Sequence, residues 1–257
     1  MSKHLIIPDT QVKQGVPLDH LTWAGKWAAE KKPDVIVHIG DFADMPSLSS
    51  YDVGKKAFEG RTYAADVVAA KLGMSMFMAP IEEEQARQRK NKEKVWKPRK
   101  VLTLGNHEHR INKAINNDRK LEGLISVDDL GYKEWDWEVY PFLEPVKIDG
   151  VMYCHYFTSG VLGRPVSTAA ALLNKKHISC VAGHQQGKQI STAERADGKR
   201  LTGIIAGSYY QHDEDYLYNQ GNKHWRGIIA LHEVEDGQCD ELFISLEYLR
   251  KKYGDVR

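Results

Sequence analysis

Short, unbroken apolar runs alternate along this chain with longer stretches whose apolar residues return every three or four positions. The runs at 4–8, 34–39, 101–104, 151–155 and 178–182 predict buried strands. A helix rhythm appears over 17–31, where Pro17 stands near the start and Leu21, Ala24 and Trp27 share a face. It returns at Tyr63, Val67, Ala70, Met74, Phe77 and Ile81. Pro80 interrupts this stretch and Glu82, Glu83 and Glu84 follow, which predicts a kink or a new helix there. Further helices are expected from about residue 108 and over 168–176, while 40–59 and 126–150 read as irregular. The last third predicts strands at 189–193, 201–206, 227–234 and 242–246. Strand–helix alternation that gives way to strands and turns predicts an α/β fold, with stacked sheets flanked by helices. No repeat or linker divides the chain. Residues 1–257 are therefore expected to form a single domain with a helical excursion at about 60–98.

Composition narrows the classes. Of 257 residues, 42% are hydrophobic and 28% charged, as in an ordinary globular protein. A net charge of +1 argues against a whole-protein attraction to nucleic acid or membrane. Any such contact would have to be local. Residues 85–100, from Gln85 to Lys100, are the candidate: eight Lys/Arg and one acid, Glu93, with Trp96 among them. A solvated helix end whose basic residues complement the helix dipole is the competing reading, and the favoured one. Cys154, Cys180 and Cys239 are widely spaced without a CxxC pair, which fits free thiols in a reducing compartment. The N-terminal apolar run is too short for a signal peptide, and no stretch reads as a membrane span. A cytoplasmic location is expected.

Polar residues gather at the ends of the predicted strands. Asp9 and Gln11 follow the first, Gly40-Asp41 the second, and Gly105-Asn106-His107-Glu108 the third. His155 ends the fourth, and Gly183-His184-Gln185-Gln186 follows the fifth. In α/β folds, ligands bind beyond the carboxyl ends of the strands. Asp, Asn, His and Gln are the residue types that hold metals.

This order of motifs, D-x-(H/Q), G-D, G-N-H-(D/E), H and G-H-x-(H/Q), resembles the calcineurin-like metallophosphoesterase superfamily. The resemblance covers residues 9–186, and the later strands fit that family's second sheet. It implies a four-layer α/β/β/α sandwich and hydrolysis of a phosphomonoester or phosphodiester at two divalent cations. It also assigns roles. Asp41 would bridge the cations. Asp9, Gln11 and Gln186 would complete one site, and Asn106, His155 and His184 the other. His107 would serve the leaving oxygen or clamp the phosphate, with Glu108 orienting its ring. Two cations ~3.5–4 Å apart neutralise the ester's charge and make hydroxide available near neutral pH. An alkoxide leaves poorly unless protonated, which suits a histidine.

Gln11 and Gln186 stand where the commoner pattern has histidine. Both fall on one cation site. An amide oxygen is a hard, neutral ligand, which favours manganese, magnesium or calcium over zinc. Manganese is expected first, with iron and zinc as further options.

Neighbouring residues carry weaker signals. Arg110 reads either as a phosphate contact, with His109 beside it, or as a surface ion pair. Asp44 reads as a loop cap, with substrate contact the alternative. His38 reads as a core histidine, while His4, His20, His177 and His232 read as structural or exposed. His212, Asp213, Glu214 and Asp215 read as a solvated acidic loop, and Trp135 and Trp137 as packing. The strings GDFADMPSLSSYDVGKKAFEG and GNHEHRI also resemble phosphoesterases encoded by phages and prophages, which points to a nucleotide or nucleic-acid substrate. A nuclease of the same superfamily and a catalytically weak protein-binding scaffold are the competing functions. The presence of Asp41 and His107 weighs against the scaffold.

Overall fold

The computed structural model describes residues 1–50, 54, 58–214 and 217–254. Asp215 and much of 51–57 lie outside the described residues. The first sheet contains β1 (Ser2–Ile7), β2 (Val35–His38), β3 (Arg99–Thr103) and β4 (Glu138–Tyr140), all parallel. The second contains β5 (Val146–Ile148), β6 (Val151–Cys154), β9 (Cys180–Ala182), β10 (Lys188–Glu194) and β11 (Arg200–Ala206). A short hairpin, β7 (Thr158–Ser159) with β8 (Arg164–Pro165), follows β6. The chain then returns to the first sheet as β12 (Gly227–Glu235) and β13 (Gln238–Ser245). The sheet orders are β13-β12-β1-β2-β3-β4 and β10-β11-β9-β6-β5.

Three apolar clusters show how the layers stack. Ile6, Val37, Ile39 and Val101 of the first sheet meet Tyr153, Val181 and Ile204 of the second in one cluster. The other face of the first sheet, through Leu5, Ile7, Ile36 and Leu102, packs on α1 (Asp19–Lys31) and α2 (Tyr63–Lys90). The outer face of the second sheet, through Cys154, Cys180 and Ile205, packs on α4 (Ala169–Lys176). This is the four-layer α/β/β/α order that the resemblance implied.

Helix α2 corrects two expectations. It runs through Pro80 without starting afresh at the three glutamates. Its N-terminus is capped by the Thr62 side chain, which accepts from Ala65 N at 3.2 Å. Packing on α1 holds it: a Cβ added at Gly25 would stand 2.2 Å from the Phe77 carbonyl oxygen and 3.1 Å from the Pro80 ring. Tertiary contact of that closeness outweighs the hydrogen bond lost at one proline. Helix α2 is also long and apolar enough to cross a membrane by length and composition, contrary to the sequence reading. Half of that window is buried, with Ala70, Met74, Phe77 and Ile81 in the core.

The basic stretch lies at the end of α2 and the start of β3. Arg87 is held by Glu84 and Glu93, Arg99 by Glu138, and the Trp96 indole donates to Pro33 O at 2.7 Å. These positions mark the amino ends of the parallel strands, the edge opposite to Asp9, Asp41 and Asn106. The segment 126–150, expected to be irregular, holds β4 and β5. A final helix, α5 (Leu246–Tyr253), is capped by Ser245 and covers the α1 side of the first sheet.

Candidate metal centre

Five strand ends deliver their polar residues to one place. Asp9 follows β1, Asp41 follows β2, Asn106 follows β3, His155 follows β6 and His184 follows β9. Ligand atoms of Asp41, His155 and His184 lie within 4.8 Å of one another. Asn106 Oδ1 is 2.9 Å from His155 Nε2 and 2.8 Å from His184 Nδ1. His155 Nε2 is also 3.4 Å from Asp41 Oδ2. The other nitrogen of His155, Nδ1, donates to the Ile39 carbonyl at 2.8 Å, which leaves Nε2 to face the cluster.

Backbone amides hold one oxygen of each aspartate and leave the other turned inward. His107 N donates to Asp41 Oδ1 at 2.9 Å, and His184 N donates to Asp9 Oδ1 at 3.2 Å. Asp9 Oδ2 is fully buried with no hydrogen-bond partner among the described residues. A buried acceptor left without a donor costs ~1–3 kcal/mol, more when charged. The electrostatics point the same way. Burial, aided by the Asp41 charge and opposed by His155, pushes the Asp9 carboxyl up to about 7. Burial also works against Asp41, yet His107 and His155 hold its carboxyl well below the usual range. Burial opposes a charge on His155, but Asp41 and Asp9 raise it to about 9. Burial and the His155 charge lower His184 to about 4. The cluster thus draws positive charge into a pocket of buried oxygen and imidazole acceptors, and these residues fit a divalent cation.

The local backbone is strained where the ligands sit. Gln11, Asp41, His184 and Gln186 all have positive φ, at 43°, 50°, 67° and 54°. Non-glycine residues adopt this region at a cost of ~1–3 kcal/mol, and such residues cluster at functional sites. Space is equally tight. A Cβ at Gly105 would stand 2.0 Å from Asp41 Oδ1, and one at Gly183 would stand 2.5 Å from Asp9 Oδ1.

Of the second group of expected ligands, Asp9 is described above, and the glutamines make the following contacts. Gln11 is buried, and its backbone N–H donates to the Asp41 carbonyl at 2.9 Å. The Gln186 side-chain oxygen accepts from the Tyr210 hydroxyl at 2.5 Å. Tyr210 was not singled out by the sequence reading.

His107 sits at the rim, with Nε2 3.7 Å from Asp41 Oδ2. Its Nδ1 lies 2.6 Å from Asp44 Oδ1 and 3.0 Å from Asp44 O. Burial opposes the charged ring, but Asp41 and Asp44 outweigh it and raise the His107 pKa. This corrects the role expected of Glu108. The Glu108 carboxylate is fully buried and accepts from the backbone amides of Asp41, Ala43 and Gly105 at 2.8–3.0 Å, and from the Tyr132 hydroxyl at 3.3 Å. It ties the Asp41 and Gly105 loops together and takes no part in orienting the His107 ring. At the first turn of α3 (His109–Asn117) it points inward, where loop amides need an acceptor. Asp44, three residues past Asp41, orients the ring instead of capping its loop.

Arg110 is held at the site by the Asp44 loop and is not an exposed surface ion pair, its side chain being 17% exposed. It donates to the carbonyls of Asp44 at 2.7 Å and Met45 at 3.3 Å, and its other terminal nitrogen lies 3.3 Å from His107 Nε2. His109 stacks on Phe142 with ring centroids 4.7 Å apart. The acidic loop is not wholly solvated either. Glu214 is buried and bonded to His212 and Lys13, while Asp213 is exposed.

No family model and no curated protein matches this sequence. One solved structure similar to the chain is that of a conserved uncharacterized protein from Streptococcus pneumoniae TIGR4, described as a predicted phosphoesterase. It shares 12% identity over 95% of this chain and 99% of that chain, with a TM-score of 0.33. At that likeness the chemistry of the site is read from this chain's own residues.

Proposed function

We propose that this chain is a metal-dependent phosphoesterase that hydrolyses a phosphomonoester or phosphodiester, of a nucleotide or nucleic-acid type. The observation that carries the reading is the buried, partnerless Asp9 Oδ2 beside Asp41, Asn106, His155 and His184, with His107 at the rim. Asp41 would bridge two divalent cations, manganese first. Asp9, Gln11 and Gln186 would hold one, and Asn106, His155 and His184 the other. When bound, the cations would neutralise the ester's charge and supply a water nucleophile near neutral pH.

The protein's own groups do the rest. Asp44 fixes His107 through Nδ1, so Nε2 faces the centre and can donate a proton to the leaving oxygen. Burial opposes the charged ring, while the Asp44 carboxylate on Nδ1 favours it. Arg110, beside Nε2, adds positive charge where a phosphoryl oxygen would sit. Glu108 keeps the Asp41 and Gly105 loops in register. The basic stretch at 85–100 lies at the far edge of the sheet, so a nucleic-acid substrate would reach the centre without it.

Metal-stripped protein should be given an aryl phosphomonoester and an aryl phosphodiester with manganese, magnesium, zinc or no metal. The expected result is metal-dependent turnover of one ester, reduced at least about 100-fold in His107→Ala and Asp41→Asn. Equal turnover in these variants would overturn the assignment.

A further inference from the structure

Lys13 is clamped between two buried carboxylates from distant parts of the chain. Its Nζ lies 2.9 Å from Asp44 Oδ2 and 2.6 Å from Glu214 Oε1. The Lys13 side chain is 20% exposed, and the two carboxylates are 9% and 8% exposed, so this is no solvent-screened surface pair. The surroundings are built to keep it. The backbone around Lys13 runs beside the Asp41 loop, with Val12 N donating to Phe42 O at 2.7 Å and Asp44 N to Val12 O at 2.9 Å. The Glu214 amide and carbonyl are both bonded to the Asn222 side chain at 2.8 Å.

The clamp joins two sides of the centre. On one side, the second oxygen of Asp44 holds His107 Nδ1. On the other, Glu214 Oε1 also accepts from His212 Nε2 at 2.7 Å, and Tyr210 stacks on His212 at 4.7 Å. Tyr210 in turn donates to Gln186. A continuous set of contacts therefore runs from His107 to Gln186, one of the expected ligands.

We propose that Lys13 and Glu214 are positioning residues for the hydrolytic centre. Lys13 holds Asp44 in the orientation that fixes His107, and Glu214 ties the loop carrying Tyr210 and His212 to that point. Without the ammonium, Asp44 and Glu214 lose the cation between them, and Asp44 is left with Arg110 and the His107 ring, Glu214 with His212. Asp44 then turns away from His107, or toward the cations as a competing ligand. The catalytic consequence rests on the phosphoesterase reading, whereas the geometric consequence does not.

The test uses Lys13→Met, Lys13→Arg and Glu214→Gln in the full chain. In metal-stripped protein, nitrogen-labelled histidine NMR reads the hydrogen-bonded Nδ1 proton of His107 directly. The proposal expects a downfield, slowly exchanging signal in the wild type, lost in Lys13→Met and weakened in Glu214→Gln. Lys13→Arg, which keeps the charge, should restore it. With manganese and the preferred aryl ester, kcat in Lys13→Met should fall roughly 10–100-fold while KM stays within about threefold. Adding Asp44→Asn to Lys13→Met should cost less than about twofold more, since both act through one contact. Folded Lys13→Met and Glu214→Gln that keep the His107 signal and kcat within about twofold of wild type would overturn the proposal. If Lys13→Met does not fold, Glu214→Gln decides by the same two readouts. A wild type inert toward every ester would sink the phosphoesterase reading alone, and the NMR result would still decide the positioning role.

Discussion

His107 Nδ1 lies 2.6 Å from Asp44 Oδ1, a charge-assisted contact in which the partner of the ring is the aspartate three residues past Asp41. This pair fixes which nitrogen of His107 faces the centre. Replacing Asp44 by Asn removes a negative charge that raises the His107 pKa. The alkaline limb of the kcat profile should therefore move to lower pH, and kcat at pH 8 should fall about 10–100-fold. A pH–rate series on the wild type and Asp44→Asn checks this.

Glu108 accepts from three backbone amides in the interior. Glu108→Ala leaves these donors unmet and should cost ~3–5 kcal/mol of unfolding free energy. Glu108→Gln keeps an acceptor and should cost ~1–2 kcal/mol. Urea titrations at pH 7 measure both. A loss of activity in Glu108→Gln without loss of stability would instead argue for direct participation in catalysis.

The layered fold and most of the site were legible because both rest on short-range signals. Apolar runs marked β1, β2, β3, β6 and β9, and polar residues just past their carboxyl ends marked the site. Partners distant in sequence were not legible. Nothing local distinguishes Asp44 from a loop cap, or shows that Lys13 would meet Glu214 across 201 residues. The hairpin β5–β6 does carry a local signal. Asp149-Gly150 between Ile148 and Val151 is a two-residue turn with φ of 48° and 88°, a conformation that favours such a pair. Helix α2 misled in the other direction, because packing against Gly25 keeps it intact through Pro80.

Gly183 allows the strand end to pass beside Asp9. Gly183→Ala would place a Cβ 2.5 Å from Asp9 Oδ1 and displace that carboxylate. Manganese affinity should fall at least about tenfold, while the rest of the fold stays intact by circular dichroism. Calorimetry on the variant beside the wild type checks this.

Two buried histidines make the protein acid-sensitive. Burial lowers both His20 and His38 to about 3, against an ordinary value of 6.5. Between those values the unfolded chain binds more protons than the folded one. Stability is therefore full above pH 6.5 and is lost as pH falls toward 3, at up to ~1.4 kcal/mol per pH unit per histidine. His20→Gln should reduce the slope by about one histidine's share. Urea midpoints at pH 7, 6 and 5 for the wild type and this variant measure it.

The strand-end cluster is expected to bind divalent cations. Calorimetric titration of metal-stripped protein with manganese tests it most directly. Saturable binding is expected, weakened at least about 100-fold in Asp41→Asn, with a rise in melting temperature that follows occupancy. No binding of manganese, magnesium, calcium, iron or zinc at millimolar concentration, or binding unchanged in Asp41→Asn, would contradict it.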